Sequence, residues 1–333
     1  MMMMIYDRAS DTLRDNDTWV IFTHRKSDGD ALGSAAALFE AGTNAGKSVS
    51  WFSPDAKLPE GYSYLPHFDD FQTCTDFTFS DDGTLYVFLD CATEVRSVSG
   101  YDVNNPVNSL NIDHHEDNSL YARVNCVDGL ASSTCEMLYR VFNAGKWDIT
   151  TTIAEALYTG IFTDTGGFTF SNTSQSTHNT AGKLIALGVS PATMADRISQ
   201  NKCIADMKIW AKVLERVKVF GDGNIFAASY VFADDFTQCG ADLTGTEGLS
   251  QMLMTLRGVK FAAVATQHPD GNIRLSIRSR DGSPFGAGEF ARLYGGGGHH
   301  KAAGCTFNYP VNEVMSRLEA EIIKYHELHN PHQ

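Results

Sequence analysis

Short apolar segments alternate with helix-like segments through the first half of the chain, and this alternation constrains the fold more than any other feature. The strand-like segments are residues 18–23, 48–52, 85–89 and 110–112, and the helix-like segments are residues 30–40, 132–142 and 153–162. Residues 85–89 are apolar throughout, as strands buried on both faces of a parallel sheet are. The alternation therefore predicts an α/β fold with a doubly wound, mostly parallel sheet.

The pattern changes after residues 188–191, whose sequence GVSP is typical of a loop. Residues 192–219 have mainly helical periodicity, and strand-like and helix-like segments return after the turn at 221–224. We therefore predict a first α/β domain over residues 1–190, a helical linker over 191–221 and a smaller α/β domain over 222–333.

Acidic and histidine residues gather where the predicted strands and one helix of the first domain end. They are His24, Asp28 and Asp30 after the first strand, Asp90 after the third, Asp113, His114 and His115 after the fourth, and Asp164 beyond the helix ending at residue 162. The carboxyl ends of strands in an open parallel sheet form its ligand crevice. Each cluster alone has a structural alternative, as a turn, a helix cap or a buried histidine. All four together predict one site.

Carboxylates combined with imidazoles are a ligand set that suits manganese, or magnesium where fewer nitrogens take part, rather than a thiolate zinc site. One aspartate can bridge two cations. Two cations about 3.5–4 Å apart can clamp the attacking and leaving oxygens of a phosphoryl group. The clusters therefore predict a site for two divalent cations, most suitably Mn²⁺, with Mg²⁺ as the alternative.

Four consecutive glycines, residues 295–298, precede His299, His300 and Lys301. Glycines allow backbone N–H groups to approach an anion where a Cβ atom would clash. The run is not a Walker loop, because the GK[ST] ending is absent. A flexible linker is the alternative interpretation, which the strand-like residues 305–307 make less favourable.

The bulk composition limits the classes of partner. The formal net charge of the 333 residues is −14, so the surface repels long polyanions and binding to long duplex nucleic acid is not expected. Seven cysteines without a CxxC pair predict neither a disulfide framework nor a zinc ribbon, which favours a reducing cytoplasm. Neither a signal peptide nor an apolar run of about 18 residues is visible, and no membrane contact is expected.

Taken together, these motifs resemble those of the DHH family of phosphoesterases with the DHH-associated C-terminal domain, and most closely its RecJ-like nanoRNase and pAp-phosphatase branch. The resemblance rests on residues 24–34 (HRKSDGDALGS), 89–92 (LDCA), 113–115 (DHH), 160–168 (GIFTDTGGF), 276–279 (SIRS) and the glycine run. It covers nearly the whole chain in the right order. One position departs from it, because the family usually has proline where this chain has Ser27.

The resemblance implies a role for each motif residue. By it, His24, Asp28 and Asp90 hold one metal ion, and Asp30, Asp90, His114 and Asp164 hold a second, with Asp90 shared. His115 contacts the scissile phosphate, and Asp113 orients a ligand. The implied substrate-binding residues are Arg278, Ser279, Gly296, Gly297, Gly298 and His299.

The resemblance also implies a manganese-dependent phosphoesterase that cleaves short oligonucleotides, pApA or pAp to mononucleotides, and a homodimer. An inorganic pyrophosphatase or exopolyphosphatase is the first alternative, although such relatives carry a different C-terminal domain. A non-catalytic nucleotide-binding sensor is the second, and it predicts the loss of a metal ligand. Every ligand position is filled here.

Overall fold

The protein is described by a computed structural model that covers residues 2–199, 202–298, 300–307, 309 and 313–329. The chain forms two compact units, Met1–Asn201 and Lys202–Gln333, called here the N-terminal and C-terminal units. Their boundary lies within the predicted linker. The functional division of the chain into domains stays a prediction.

The N-terminal unit is built on a six-stranded sheet in which every paired strand is parallel. Its elements are α1 (Met2–Arg14), β1 (Thr18–Phe22), α2 (Gly29–Asn44), β2 (Ser48–Ser53), β3 (Phe71–Thr73), β4 (Leu85–Leu89), β5 (Ser109–Asp113), β6 (Val124–Val127), α3 (Thr134–Ala144), α4 (Thr151–Asp164), α5 (Gln175–Ala186) and α6 (Pro191–Ser199). The strand order is β3-β2-β1-β4-β5-β6. The order reverses between β1 and β4, which is where such sheets bind ligands. The predicted α/β class with a parallel sheet is confirmed.

The two faces of this sheet are covered differently. One face packs Trp19, Ile21 and Val87 against the helices in the larger buried cluster. On the other face, Phe22 and Phe88 pack against aromatic residues from loops, among them Phe79 and Tyr121. Edge-to-face ring contacts therefore fill a layer that helices commonly supply in a doubly wound fold, and the segment pattern did not predict this.

Helices α2 and α4 pack closely because both carry small residues at their contact. A Cβ atom on Gly160 would lie 2.3 Å from Cys135 Sγ and 2.4 Å from Asp30 Oδ1. Glycine is therefore required at position 160 for α4 to reach the carboxylate of Asp30, so this helix contact directly shapes the candidate site.

The C-terminal unit contains a second six-stranded sheet of mixed direction, in the order β11-β12-β10-β9-β8-β7. Its elements are α7 (Ile204–Arg216), β7 (Lys218–Phe220), β8 (Phe226–Val231), α8 (Ala233–Cys239), α9 (Leu249–Leu253), β9 (Phe261–Gln267), β10 (Ile273–Ser279), α10 (Ala287–Arg292), β11 (Gly297–Gly298), β12 (Ala302–Phe307) and α11 (Val314–His329). Among the described strands of this unit, β8 and β9 pair in parallel and the other pairs are antiparallel. Phe226, Phe261 and Phe290 are fully buried in its core.

The observed elements differ from the predicted segments in three respects. The segment 192–219 is not one helix but contains α6, α7 and β7. The helix predicted for 153–162 extends to residue 164, so Asp164 lies in its last turn rather than beyond it. Helices α1, α5, α8 and α11 were not predicted. Within the described ranges, no helix has both the length and the hydrophobicity needed to cross a bilayer.

Candidate active site

The loop after β1 presents the first two candidate ligands. His24 is buried, and its Nε2 lies 3.3 Å from Asp90 Oδ2 and 4.0 Å from Asp28 Oδ1. Its Nδ1 lies 3.0 Å from the Arg25 carbonyl oxygen. That contact favours a proton on Nδ1 and leaves the lone pair of Nε2 for a cation.

Asp28 has two roles in the same loop. It is the N-cap of α2, and its Oδ1 accepts hydrogen bonds from the N–H groups of Asp30 and Ala31, both at 3.1 Å. Its side chain is 58% exposed, so the carboxylate remains accessible to a cation. Asp28 can therefore cap the helix and remain available to bind a cation.

Asp90 follows β4 and lies at the centre of the site. Its φ of 56° is in the left-handed region that non-glycine residues rarely adopt. Its Oδ1 accepts a hydrogen bond from the Thr134 hydroxyl at 3.1 Å and lies 3.5 Å from His114 Nε2 and 3.6 Å from His115 Nδ1. The opposite oxygen contacts His24. Asp90 is thus the residue that contacts both histidine-bearing segments.

The candidates for the second metal ion surround His114. Its Nε2 lies 3.5 Å from Asp90 Oδ1, 3.6 Å from Asp164 Oδ2 and 3.9 Å from Asp30 Oδ2. Asp90 follows β4, whereas Asp164 and Asp30 lie in α4 and α2, and the parallel sheet brings all three to one edge. The structure therefore brings together all four residues implied for the second ion.

Asp113 and His115 form a buried pair beside these groups. His115 Nδ1 lies 2.7 Å from Asp113 Oδ1, and Asn118 donates a 2.6 Å hydrogen bond to Asp113 Oδ2. Asn118 also donates to Asn111 Oδ1 at 2.8 Å. Asp113 thereby fixes the orientation of the His115 ring. Asn118 was not recognised from the sequence, because its partners are brought to it by the loop fold.

Helix α3 holds the candidate ligand Asp30 by its first backbone groups. The N–H of Thr134 donates to Asp30 Oδ2 at 2.6 Å, and the N–H of Cys135 donates to Oδ1 at 2.9 Å. A helix N-terminus favours a carboxylate because its N–H groups have no intrahelical partner. Ser133 is the N-cap of this helix. The contribution of Thr134 was missed.

The electrostatics of the site follow from burial and from these contacts. Burial opposes a positive charge on His24 and His114. At His24 the hydrogen bond to Asp90 outweighs burial, and at His114 the charge of Asp164 does so. The pKa of each histidine therefore rises to about 9. Burial, together with the charges of Asp28 and Asp90, raises the pKa of Asp164 to about 7 despite His114 nearby. Burial opposes charge on Asp90, but its contacts with His24, His115 and His114 outweigh it and lower its pKa. Buried carboxylates in such proximity are stabilised by added positive charge.

The donor set fits divalent cations. Among the residues that the structure describes, two groups of three side chains could hold a metal ion, His24–Asp28–Asp90 and Asp90–His114–His115. Within each group the ligand atoms lie within 4.8 Å of one another, and the groups share Asp90. Oxygen and imidazole donors without thiolates suit Mn²⁺ or Mg²⁺. Of the predicted metal ligands, His24, Asp28, Asp90 and His114 belong to these groups, which also include His115. Asp30 and Asp164 lie outside them, with carboxylate oxygens 3.9 Å and 3.6 Å from His114 Nε2.

The C-terminal unit contains an arginine whose surroundings suit an anion. Arg278 on β10 donates from Nη1 to the Ile277 carbonyl at 3.0 Å, while its buried Nε has no hydrogen-bond partner among the residues described. Burial lowers the pKa of Arg278. Within the described part of the chain, no carboxylate pairs with it. A half-buried guanidinium without an anion is costly unless a ligand supplies one.

The other predicted substrate-binding residues have different surroundings. The Ser279 hydroxyl donates to the His300 carbonyl at 2.9 Å and accepts from the Ala287 N–H at 3.0 Å, so its single proton is already used. A Cβ atom on Gly296 would lie 2.2 Å from Gly304 O, whereas one on Gly297 would meet nothing within 4 Å. Gly297 therefore leaves open space beside the chain. Gly298 has a φ of 134°, and His299 lies outside the described residues.

Comparison with known proteins identifies the family. The sequence model of the DHH family, N-terminal domain, matches residues 18–161, and that of the DHHA1 domain matches residues 226–325. The bifunctional oligoribonuclease and PAP phosphatase NrnA of Thermus thermophilus is 30% identical over 86% of this chain and 83% of the relative. The chain belongs to the DHH family. The NrnA protein of Bacillus subtilis is 29% identical over 93% of this chain and 96% of the relative.

A solved structure has the same fold. An exopolyphosphatase-related protein from Bacteroides fragilis superposes with a TM-score of 0.88 and 23% identity, and the match covers 98% of each chain. At that identity the likeness establishes the fold, and it leaves the reaction to be argued from the site.

Proposed function

We propose that this DHH-family protein is a divalent-metal-dependent phosphoesterase that hydrolyses short oligonucleotides and pAp to mononucleotides. The main observation behind this proposal is that Asp90 belongs to both groups of closely spaced side chains able to bind a metal ion. The relatives named bifunctional oligoribonuclease and PAP phosphatase support the substrate class.

The chemistry follows from what the side chains hold in place. Two cations held by His24, Asp28, Asp30, Asp90, His114 and Asp164 would supply Lewis acidity towards a phosphoryl group and would lower the pKa of a water molecule. Asp90 belongs to both ligand groups and therefore fixes their spacing, and the Thr134 hydroxyl holds its Oδ1. Asp113 holds His115 through Nδ1, so Nε2 is the ring atom we assign to the scissile phosphate.

The C-terminal unit supplies the proposed phosphate-binding groups. Arg278 offers N–H donors that a phosphate can accept in pairs, and Gly297 leaves room for a ligand against the backbone. We propose that Ser279 acts mainly by fixing the start of α10, because its proton is bonded to His300 O. Gly296, Gly298 and His299 stay predicted substrate-binding residues.

We further propose Mn²⁺ as the preferred ion, because His24 and His114 place imidazole nitrogens among the oxygen donors. A homodimer and a cytoplasmic location remain proposals that rest on the family resemblance and on cysteine usage. The pyrophosphatase alternative is disfavoured by the DHHA1 match. The sensor alternative is disfavoured because the predicted metal ligands come together.

A comparison of substrates tests the proposed function. The wild-type protein and Asp90→Asn are incubated with Mn²⁺ and pAp, pApA, a pentaribonucleotide, pyrophosphate or long single-stranded DNA, and the products are quantified. We expect AMP from pAp and pApA, mononucleotides from the pentamer and loss of turnover in Asp90→Asn. Turnover confined to pyrophosphate or to long DNA would contradict the proposal.

A further inference from the structure

The loop that carries His24 and Asp28 is anchored by a carboxylate from a distant segment. Lys26 has a φ of 59°, and the consecutive N–H groups of Lys26 and Ser27 both donate to Asp55. The two distances are 2.9 Å to Oδ1 and 3.0 Å to Oδ2. Successive N–H groups in such a turn form a small anion-binding concavity, and here the anion is internal.

Asp55 is itself held on the sheet. Its N–H donates to Ser53 Oγ at 3.2 Å, and its carbonyl accepts from the Thr73 hydroxyl at 3.1 Å. Ser53 and Thr73 end the neighbouring parallel strands β2 and β3 and are register partners. Asp55 lies in the loop after β2, and these two hydrogen bonds hold it against the ends of both strands.

Ser27 extends this anchor towards the candidate ligands. Its buried hydroxyl donates to the His24 carbonyl at 2.8 Å and lies 3.2 Å from Thr23 Oγ1. A shift of the Ser27 backbone would consequently move His24. His24 Nε2 faces Asp90 Oδ2 at only 3.3 Å, so a small displacement would separate the two groups.

We infer that Asp55 is a positioning residue that fixes residues 24–28 in the conformation that binds a divalent cation. The inference rests on the proposed function, since it concerns the same metal site. Asp55 acts through the backbone of Lys26 and Ser27. Its loss should weaken cation binding by about 10-fold, as loss of partners behind metal ligands typically does.

The test uses the full chain and Mn²⁺ alone. Mn²⁺ affinity is measured by titration calorimetry for wild type, Asp55→Ala, Asp55→Asn and Asp69→Ala. Asp69 is an exposed carboxylate of the same unit for which no hydrogen bond or ion pair is seen among the described residues, and it serves as the matched control. Amide hydrogen exchange of residues 24–30 reports directly on the two N–H groups, and thermal melting reports on the fold.

We expect Asp55→Ala to raise the Kd for Mn²⁺ about 10-fold and to speed exchange in residues 24–30, while Asp69→Ala matches wild type in both. Wild-type affinity in Asp55→Ala, or unchanged amide protection, overturns the inference. Should Asp55→Ala fail to fold, Asp55→Asn decides by the same criteria. A wild-type protein that binds no Mn²⁺ overturns the proposed function itself, which is a distinguishable result.

Discussion

Asp90 has a left-handed backbone that costs a non-glycine residue about 1–3 kcal/mol. The surrounding contacts enforce this conformation. Its N–H donates to the Ile112 carbonyl at 3.1 Å, and its two oxygens contact Thr134 and His24. The strain is located where one carboxylate must serve two ligand groups, which is consistent with a functional constraint.

The Thr134 hydroxyl should contribute to activity beyond its contribution to stability. Thr134→Val removes the donor to Asp90 Oδ1 but keeps the backbone N–H that binds Asp30. We expect kcat/KM to fall about 10-fold and the free energy of unfolding to fall by about 1 kcal/mol. Thr134→Ser retains the hydroxyl and is the matched control. Steady-state kinetics that are equal for Val and Ser variants would show that the contact is incidental.

We expect Arg278 to increase the affinity for substrate and to leave the stability of the fold unchanged or lower. Arg278→Met removes a half-buried guanidinium whose Nε has no hydrogen-bond partner in the described part of the chain, so we expect a Tm equal to or above that of wild type. Loss of charged hydrogen bonds to phosphate, about 1.5–3 kcal/mol, should raise KM about 10-fold or more with a smaller change in kcat. Arg278→Lys keeps the charge without the planar fork and should be intermediate. A lower Tm with unchanged KM would assign Arg278 a structural role.

The residues that the sequence could reveal are those whose signal is local. His24, Asp28, Asp30, Asp90, His114 and Asp164 stand in short motifs next to strand or helix ends, and the structure brings them together. Thr134, Asn118 and Asp55 were missed, because their partners are distant in sequence and only the folded sheet brings them near. Ser279 is a residue type that can bind phosphate, but its hydroxyl proton is already donated to the His300 carbonyl.

At the scale of elements, a buried polar network joins α3, α5 and the end of β6, and it includes α1 because the Tyr6 hydroxyl donates to Asp128 at 2.6 Å. Glu136 is fully buried and accepts from the Ser132 N–H and hydroxyl and from Thr177. Arg140 pairs with Glu136 and donates to Asp128 at 2.8 Å. The network fixes the first turn of α3, whose N–H groups hold Asp30.

This network should make stability depend on pH. Burial opposes charge on Glu136, but hydrogen bonds from Ser132 and then the charge of Arg140 outweigh it and lower its pKa. The unfolded chain therefore binds more protons, so the contribution of Glu136 is present above its ordinary pKa and is lost as pH falls. Denaturant unfolding should show wild type about 1–3 kcal/mol more stable than Glu136→Gln near neutral pH.

That difference should shrink as the pH is lowered from about 6 to about 3. A difference between wild type and Glu136→Gln that does not vary with pH would mean that the charge of Glu136 contributes nothing to stability.

Elements with a strong local pattern were predicted well and those formed by pairing were not. β4 has the bounds predicted from its apolar run, because a strand buried on both faces needs no polar alternation. β3 has only three residues, half-buried or exposed, and exists through its pairing with β2. The two residues by which α4 extends past its predicted end include Asp164, whose contact with His114 is a tertiary one.

At the scale of the molecule, the chain combines an acidic surface with buried carboxylates in one unit and a half-buried arginine in the other. The net charge of −14 repels long polyanions, so short nucleotides are the substrates that such a surface tolerates. Divalent cations would offset the negative charge of the carboxylates in the site. Both proposals above therefore make activity depend on metal binding.

The number of Mn²⁺ ions bound per chain tests the central claim most directly. Equilibrium dialysis with metal quantification is performed on wild type and Asp90→Asn. The shared position of Asp90 predicts about two ions per chain for wild type and the loss of at least one in Asp90→Asn. Saturation of wild type at a single ion, or two ions retained in Asp90→Asn, would contradict a two-metal centre built on Asp90.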